Sequence, residues 1–452
     1  MILKGKLVHQ GIEVPDSSRS YCGSAAKQPQ VISFDEIIWA ETVGNAINLS
    51  YIQLNADKTK GELRMTRLRI EDEEPQSGAS PPVYILNEAY ADSKRQKRLY
   101  VIVNPHSGPG HARKLYHDHA EKLLKAGRCE ITLQTSNYIG HAEELMKDLD
   151  IEQYDAIVCV SGDGLPHEVM NGLAKRPDGA HILATTPICQ LPGGSGNAMC
   201  YSLNGTVDVS VACLNIIKGV AMPTDLMAIT QRNRPTRYSF LSQSWGIVAD
   251  CDLGTDSWRW MGSFRFELGL LIKLISGNTY PCKISYKLAC PEERKSVIAY
   301  FSENKASGIS QKLDEHSLDL KYGTVDDQIP QDWTVETHRD MVNFYVGNMP
   351  WMSSDAIVFP YTLPQDGAMD MITWDSDVKF FEGLQRFIAM TKATHVNNPR
   401  LIYRKVVAYR LEPLSEHYLS VDGESYPCEQ FQVELLPRAG CILSRGDYAA
   451  VP

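Results

Sequence analysis

From Leu99 onward the chain alternates short, wholly apolar runs with stretches that repeat every three to four residues. Leu99 to Val103 is followed by a helical period that sets Tyr116, Ala120, Leu123 and Leu124 on one side, with Gly127 as its stop. The same unit recurs as Ile131 to Leu133 with His141 to Leu149, Ala156 to Val160 with His167 to Ala174, and Ile188 to Leu191 with Ala198 to Leu203. Strands without polar alternation are buried on both faces, so the pattern predicts a mostly parallel sheet covered by helices over residues 98–221. Beyond Ala221 the runs become β-type: Tyr238 to Val248, Cys282 to Leu288, Met341 to Val346, Met369 to Trp374, Leu401 to Leu411 and Phe431 to Leu436. They predict a mainly antiparallel β-sandwich over 222–452, with helices near Trp258 to Ile275 and Phe380 to Thr394. Residues 302–337 are polar and acidic and are expected to form a mobile surface excursion. Before Leu99, apolar segments such as Val31 to Trp39 and Ala46 to Leu54 lack a helical period, so residues 1–97 are expected to be a small β-rich region closed by the linker Pro75 to Pro82. The fold class is thus α/β plus β.

Composition narrows the functional classes. The chain has 452 residues, and 45 Lys+Arg against 55 Asp+Glu leave a formal charge of -10, the wrong sign for a protein held to nucleic acid by phosphate contacts. Any phosphate site must be local. Leu268 to Ile275, the most apolar stretch, is interrupted by Lys273 and is far shorter than the ~20 residues of a membrane span. The opening Met-Ile-Leu-Lys-Gly-Lys has no apolar leader, and the expected location is cytoplasmic. Eleven dispersed cysteines without a Cys-x-x-Cys pair argue against a disulfide scaffold or a zinc ribbon.

The chemistry concentrates in three loops, each between a strand and a helix. Asn104-Pro105-His106-Ser107-Gly108-Pro109-Gly110 offers glycine backbone that an anion can approach and the unpaired N–H groups of a helix start. It lacks the Gly-Lys-Ser/Thr of a Walker loop. Ser161-Gly162-Asp163-Gly164 places an acid between two glycines, uncrowded and able to reach a metal or a substrate hydroxyl; the structural alternative is an aspartate capping the next helix. Pro192-Gly193-Gly194-Ser195-Gly196-Asn197 adds more glycine backbone and two hydrogen-bonding side chains. In open α/β sheets ligands sit outside the carboxyl ends of the strands, where all three loops fall.

The strings Ser161-Gly162-Asp163-Gly164-Leu165-Pro166-His167-Glu168-Val169-Met170-Asn171-Gly172-Leu173 and Pro192-Gly193-Gly194-Ser195-Gly196-Asn197-Ala198 resemble the lipid kinases with a diacylglycerol-kinase-like catalytic domain, and within them the sphingosine, or sphingoid long-chain base, kinases. The resemblance runs from about Leu99 to the end, leaving out the acidic excursion. Ser-Gly-Asp-Gly-Leu and the following His-Glu look like the sphingosine branch, whereas diacylglycerol and NAD kinases usually look like Gly-Gly-Asp-Gly-Thr.

The resemblance implies ATP and Mg²⁺ as cofactors, with metal ligands unassigned. It implies that Asn104, Ser107, Gly108 and Gly110, with Ser161, Gly162 and Gly164 and with Gly194, Ser195, Gly196 and Asn197, cradle nucleotide phosphates, and that Asp163 meets the lipid hydroxyl. Family lysines are replaced here by Pro109 and His111, making Arg113 and Lys114 the nearest cations, and a family threonine appears as Ser136. Arg259 and Arg265 match arginines that contact phosphate; six apart, they lie about 120° around a straight helix, so joint contact needs a bend, for which Gly262 is a candidate. Asp422-Gly423-Glu424 matches the return to the nucleotide site, with a hairpin turn as its structural alternative. Asp366-Gly367-Ala368-Met369-Asp370 reads as turn plus strand.

Asp252, ending Trp245-Gly246-Ile247-Val248-Ala249-Asp250-Cys251-Asp252, matches the acid that binds the lipid's amino group. A sphingoid ammonium entering an apolar site needs such a partner; diacylglycerol and ceramide present no cation. Leu268, Leu271 and Ile272 are candidate tail contacts on a helix whose apolar stripe serves as tunnel lining or ordinary core. The expected partners are a sphingoid-base substrate, a membrane surface met peripherally and a second copy of the chain as a homodimer, with no nucleic acid. The rivals are a diacylglycerol or ceramide kinase, an NAD kinase, and a lipid-binding scaffold without catalysis.

Overall fold

A computed structural model describes residues 2–15, 29–70, 78–108, 110–255, 268–269, 272–273, 277–307, 317–375, 385 and 388–446. Four parallel strands, Arg98–Val103, Glu130–Thr135, Ala156–Ser161 and Ile188–Pro192, form the predicted α/β sheet. In space Arg98–Val103 lies between Glu130–Thr135 and Ala156–Ser161, and Ile188–Pro192 follows on the outer side of Ala156–Ser161. The strand order therefore reverses between Arg98–Val103 and Ala156–Ser161. Loops leaving the carboxyl ends of two such strands diverge to opposite faces and leave a crevice.

Period-two alternation sorts the strand residues between two cores. Leu99, Val101, Val103, Val158, Val160 and Leu191 pack on one face with Tyr116, Leu123, Leu124, Leu214 and Ile217. Tyr100, Ile102, Ile157, Cys159 and Ile188 pack on the other with Met146, Leu165, Val169, Leu173 and Leu183. The predicted stripe Tyr116, Ala120, Leu123 and Leu124 is buried, and Gly127 caps its helix with a bond to the Leu123 carbonyl at 3.0 Å.

The N-terminal segment forms a six-stranded sheet whose Ile37, Leu49, Ile52 and Leu68 belong to the first of those cores. It is tied to the α/β region by Gly61 N donating to Asp208 Oδ1 at 3.2 Å, and by Lys218 Nζ donating to the carbonyls of Phe34 and Asp35 at 2.7 and 2.9 Å. The end of the expected linker is ordered: Pro81 and Pro82 open the helix Pro81–Tyr90, because proline's missing N–H costs nothing in a first turn.

The β-rich region joins the same sheet. Phe431–Ser444, longer than its predicted run, pairs antiparallel with Val220–Gln231 and Ile402–Pro413 and, at Ile442, parallel with Ile188. Among the described residues one 15-stranded sheet thus runs through both regions. The expectation of a mobile excursion at 302–337 is corrected for its described second part. Lys321 N and Tyr322 N donate to Glu434 at 2.7 and 2.8 Å, and Arg410 reaches the carbonyls of Thr324 and Asp327 at 3.0 and 2.8 Å. Glu434 and Arg410 project from sheet strands, so the acidic segment is fastened by charge-assisted bonds.

Asp366-Gly367-Ala368-Met369-Asp370 does form a turn entering the strand Met369–Asp375. Its two acids meet Lys405 Nζ at 2.6 and 2.9 Å, and all three side chains are fully buried. The two carboxylates hold the ammonium charged. Lys405→Met would leave both acids buried without a counter-ion and is expected to cost about 3–5 kcal/mol, read as a lower urea midpoint with unchanged slope.

Candidate active site

The three glycine loops meet at the strand-order reversal. Gly194 and Gly162 touch backbone to backbone: a Cβ on Gly194 would lie 2.2 Å from Gly162 Cα. Gly108 has φ +55°, and a Cβ there would lie 3.0 Å from Gly194 C. Only glycine allows this three-way approach. Hydrogen bonds fix it: Gly162 N donates to Ser107 Oγ at 2.8 Å, Gly193 N to the Ser161 carbonyl at 3.0 Å, and Gly194 N to Asn197 Oδ1 at 2.8 Å, while Asn197 Nδ2 returns to the Gly194 carbonyl at 2.9 Å. Asn104 Oδ1 accepts from His106 N at 3.0 Å, and Ser161 Oγ bonds the Gly162 carbonyl at 2.7 Å. Most polar side chains of the loops are thus spent on shaping backbone. Ser195 and Gly196 stay half-exposed, and Gly110 is exposed with φ +80°.

Asp163 does not cap the helix that follows it. Its carboxylate crosses to the elements flanking the third loop, where Oδ2 accepts from Ala198 N at 3.0 Å and Oδ1 from Met199 N at 3.0 Å and Gln190 Nε2 at 3.2 Å. Burial pushes this carboxyl up from the ordinary aspartate range, the three hydrogen bonds oppose that rise, and the Asp422 charge adds to it. A carboxylate offers about four acceptor positions. Two donors fill Oδ1 and one reaches Oδ2, leaving a position on Oδ2 unclaimed among the described residues. A Cβ on Gly196 would sit 3.2 Å from that oxygen, so the bare glycine keeps it open.

Asp422 and Gly423, with φ +51° and +82°, form the two-residue turn between paired strands Leu419–Val421 and Glu424–Tyr426. The Asp422 carboxylate is consumed internally: it accepts from Ser239 Oγ at 2.6 Å, from the N–H groups of Phe240, Leu241 and Ser242 at 3.2, 3.1 and 2.9 Å, and meets His167 Nδ1 at 2.8 Å. His167 lies one turn beyond Asp163, and its Nε2 meets Tyr426 OH at 2.9 Å. Asp422 thus ties the β-rich region to the Asp163 helix. Exposed Glu424 lies against that helix's first residue, since a Cβ on Gly164 would collide with its carboxylate.

Asp252 is half-buried on the helix Ile247–Gly254, and its Oδ2 accepts from Ser420 Oγ at 3.4 Å, two residues before Asp422. Its neighbour Asp250 is buried and engaged by Lys273 Nζ at 2.9 Å and Tyr280 OH at 3.1 Å. Buried Tyr345 has its phenol pushed up by burial; a hydrogen bond with Ser242 opposes that rise, and the negative charges of Asp252, Asp163 and Asp422 add to it. Ser136 is buried at the end of Glu130–Thr135, its N–H bonded to the Val103 carbonyl at 2.9 Å. Arg113 and Lys114 are exposed. Arg259, Arg265 and Leu271 lie outside the described residues; Leu268 is half-buried and Ile272 exposed. Sequence reasoning missed Gln190 and Tyr345, which carry no motif; the strand pattern marks both only as core.

The diacylglycerol kinase catalytic domain family matches residues 98–229. The chain is 30% identical over 446 residues to sphingoid long chain base kinase 4 of Schizosaccharomyces pombe, covering 97% of this chain and 93% of that protein. The chain belongs to the sphingoid long-chain base kinase family. It is 34% identical to sphingoid long chain base kinase 5 of Saccharomyces cerevisiae over 80% of this chain, a match spanning 62% of that longer protein. Human sphingosine kinase 1 is 31% identical over 77% of this chain and 92% of its own length. A solved structure from Bacillus anthracis str. Sterne, provisionally named a diacylglycerol kinase, covers 80% of this chain and all of its own at TM-score 0.54 and 18% identity, a likeness of fold. Among the described residues no helix is long and apolar enough to cross a membrane.

The loop packing generates a direct expectation. Gly194→Ala forces two backbones apart, so lipid phosphorylation and the rise in Tm on adding ATP should both be lost, as read by a labelled-ATP assay and calorimetry.

Proposed function

We propose that the chain is an ATP-dependent lipid kinase that moves the γ-phosphoryl group of ATP to the primary hydroxyl of a sphingoid long-chain base, giving the 1-phosphate and ADP. The observation that carries this reading is the open Oδ2 position of Asp163 beside a cradle of glycine backbone. The phosphates of ATP fit that cradle because side chains are absent where three loops converge, as anion sites built from main-chain N–H groups require. Phosphoryl transfer needs in-line placement and neutralised charge more than covalent help from the protein. Asp163 accepts the proton of the lipid hydroxyl as that oxygen bonds to the γ-phosphorus and the bond to the ADP oxygen breaks. Arg259 and Arg265 are proposed to add positive charge at the phosphates, with Ser136 on the nucleotide side.

Mg²⁺ on the phosphate oxygens would neutralise charge there. Among the described residues no cluster of three or more His, Cys, Asp or Glu could enclose a metal, which suits an ion carried chiefly by phosphates. Exposed Glu424, beside Gly164, is the acid placed to meet it.

Asp252 supports an amine-bearing substrate. A sphingoid ammonium beside this half-buried carboxylate gains a charge-assisted bond of roughly 1.5–3 kcal/mol that diacylglycerol cannot make. Each tail methylene costs about 0.8 kcal/mol in water, so the substrate is taken from a membrane surface, with Leu268, Leu271 and Ile272 proposed along its path.

Purified protein incubated with labelled ATP, Mg²⁺ and a panel of lipids tests this reading. Sphingosine, dihydrosphingosine or phytosphingosine should be labelled, and ceramide and diacylglycerol should not; labelling of diacylglycerol alone would overturn the substrate. Asp252→Asn should raise KM for the base ~10- to 100-fold with ATP binding unchanged, the size of one lost charge-assisted bond. Asp163→Asn should lower kcat by ~10²- to 10⁴-fold while ATP still binds; wild-type turnover would remove Asp163 from its role.

A further inference from the structure

Gln190 is the only polar side chain in the strand Ile188–Pro192, every residue of which is buried. It is 3% exposed, and both ends of its amide are engaged. Oε1 accepts from Cys200 N at 2.7 Å, while Nε2 donates to Asp163 Oδ1 at 3.2 Å and lies 3.4 Å from the Ser161 carbonyl. A backbone N–H can only donate, so Cys200 fixes which way round the amide stands and turns its NH₂ toward the carboxylate. Cys200 follows Ala198 and Met199, whose N–H groups hold two further positions of Asp163. One rigid unit therefore grips the acid from three sides.

We propose that Gln190 is a positioning residue that occupies Asp163 Oδ1 and so directs Oδ2 toward the lipid hydroxyl. The inference rests on the assignment of Asp163 as proton acceptor and adds how that acid is aimed. Without the amide, Oδ1 has an empty position that can compete for the substrate proton or let the carboxylate rotate. The amide also favours the ionised carboxylate that catalysis needs, in a place where burial opposes it. Its loss must therefore move the ionisation of Asp163 to higher pH. An amide that only filled space would leave that ionisation where it is.

The test is the pH dependence of kcat with a sphingoid base at saturating ATP, for wild type, Gln190→Met and Gln190→Asn. Methionine fills the volume and cannot donate; asparagine keeps an amide too short to bridge Cys200 and Asp163. Both variants should lose ~10-fold in kcat, the scale of a hydrogen bond to a charged group, with the acid limb displaced to higher pH and KM for ATP within ~2-fold of wild type. If Gln190→Met does not fold, Gln190→Asn reads the same displacement. An acid limb unmoved in the folded variants overturns the role of Gln190. Wild-type turnover by Asp163→Asn instead overturns the assignment of Asp163, so the two failures are distinguishable.

Discussion

Everything at the site depends on three stretches of backbone coming closer than side chains permit. The contact of Gly194 with Gly162, and of Gly108 with Gly194, brings the carboxyl ends of three parallel strands into one crevice. The sheet order creates the opportunity, because strands on either side of a reversal send their helices to opposite faces. The glycines convert that opening into a surface of bare backbone, without side chains to keep a ligand away. Ser107 and Asn197 serve the same end from their side chains, each holding a glycine amide in place.

The second constraint is how acids are kept where a nearby phosphate would repel them. Asp163 is held by three neutral donors and Asp422 by five protein groups, so neither carboxylate is left to drift. Their jobs differ. Asp422 is saturated and transmits the position of the β-rich region to the helix bearing Asp163, through His167. Asp163 retains one position on Oδ2 that no described residue claims. Together with the strand Phe431–Ser444, which enters the parallel sheet beside Ile188–Pro192, this linkage makes Asp252 and Asp163 parts of one framework.

The α/β architecture was legible because strands buried on both faces leave unbroken apolar runs, as at Ala156–Ser161, and because their helices carry regular stripes. The loops were legible because glycine at a strand end has few other uses. Long-range pairing was not. Val220–Gln231 mixes Pro, Thr, Asp and Gln among apolar residues and yields no pattern until its partner Phe431–Ser444 is known. The acidic segment looked detached because nothing local shows that Glu434 and Arg410, far along the chain, bind its backbone. The N-terminal sheet was recognisable as β, but that it shares a core with the α/β helices is a tertiary fact. Gln190 in Ile-Cys-Gln-Leu-Pro could not be distinguished from tolerated polarity, since its meaning lies in Cys200 and Asp163 across the fold. The aspartate's choice of a neighbouring helix over its own is likewise invisible locally.

The decisive question at this site is where a triphosphate lies. A crystal structure of the protein with Mg²⁺ and a non-hydrolysable ATP analogue would show this most directly. The phosphates are expected against the backbone of the loops at 104–110 and 194–197, with the γ-phosphorus facing Asp163 Oδ2 across room for one hydroxyl oxygen. A triphosphate bound elsewhere, or one whose γ-phosphorus faces away from Asp163, would contradict the proposed phosphoryl transfer.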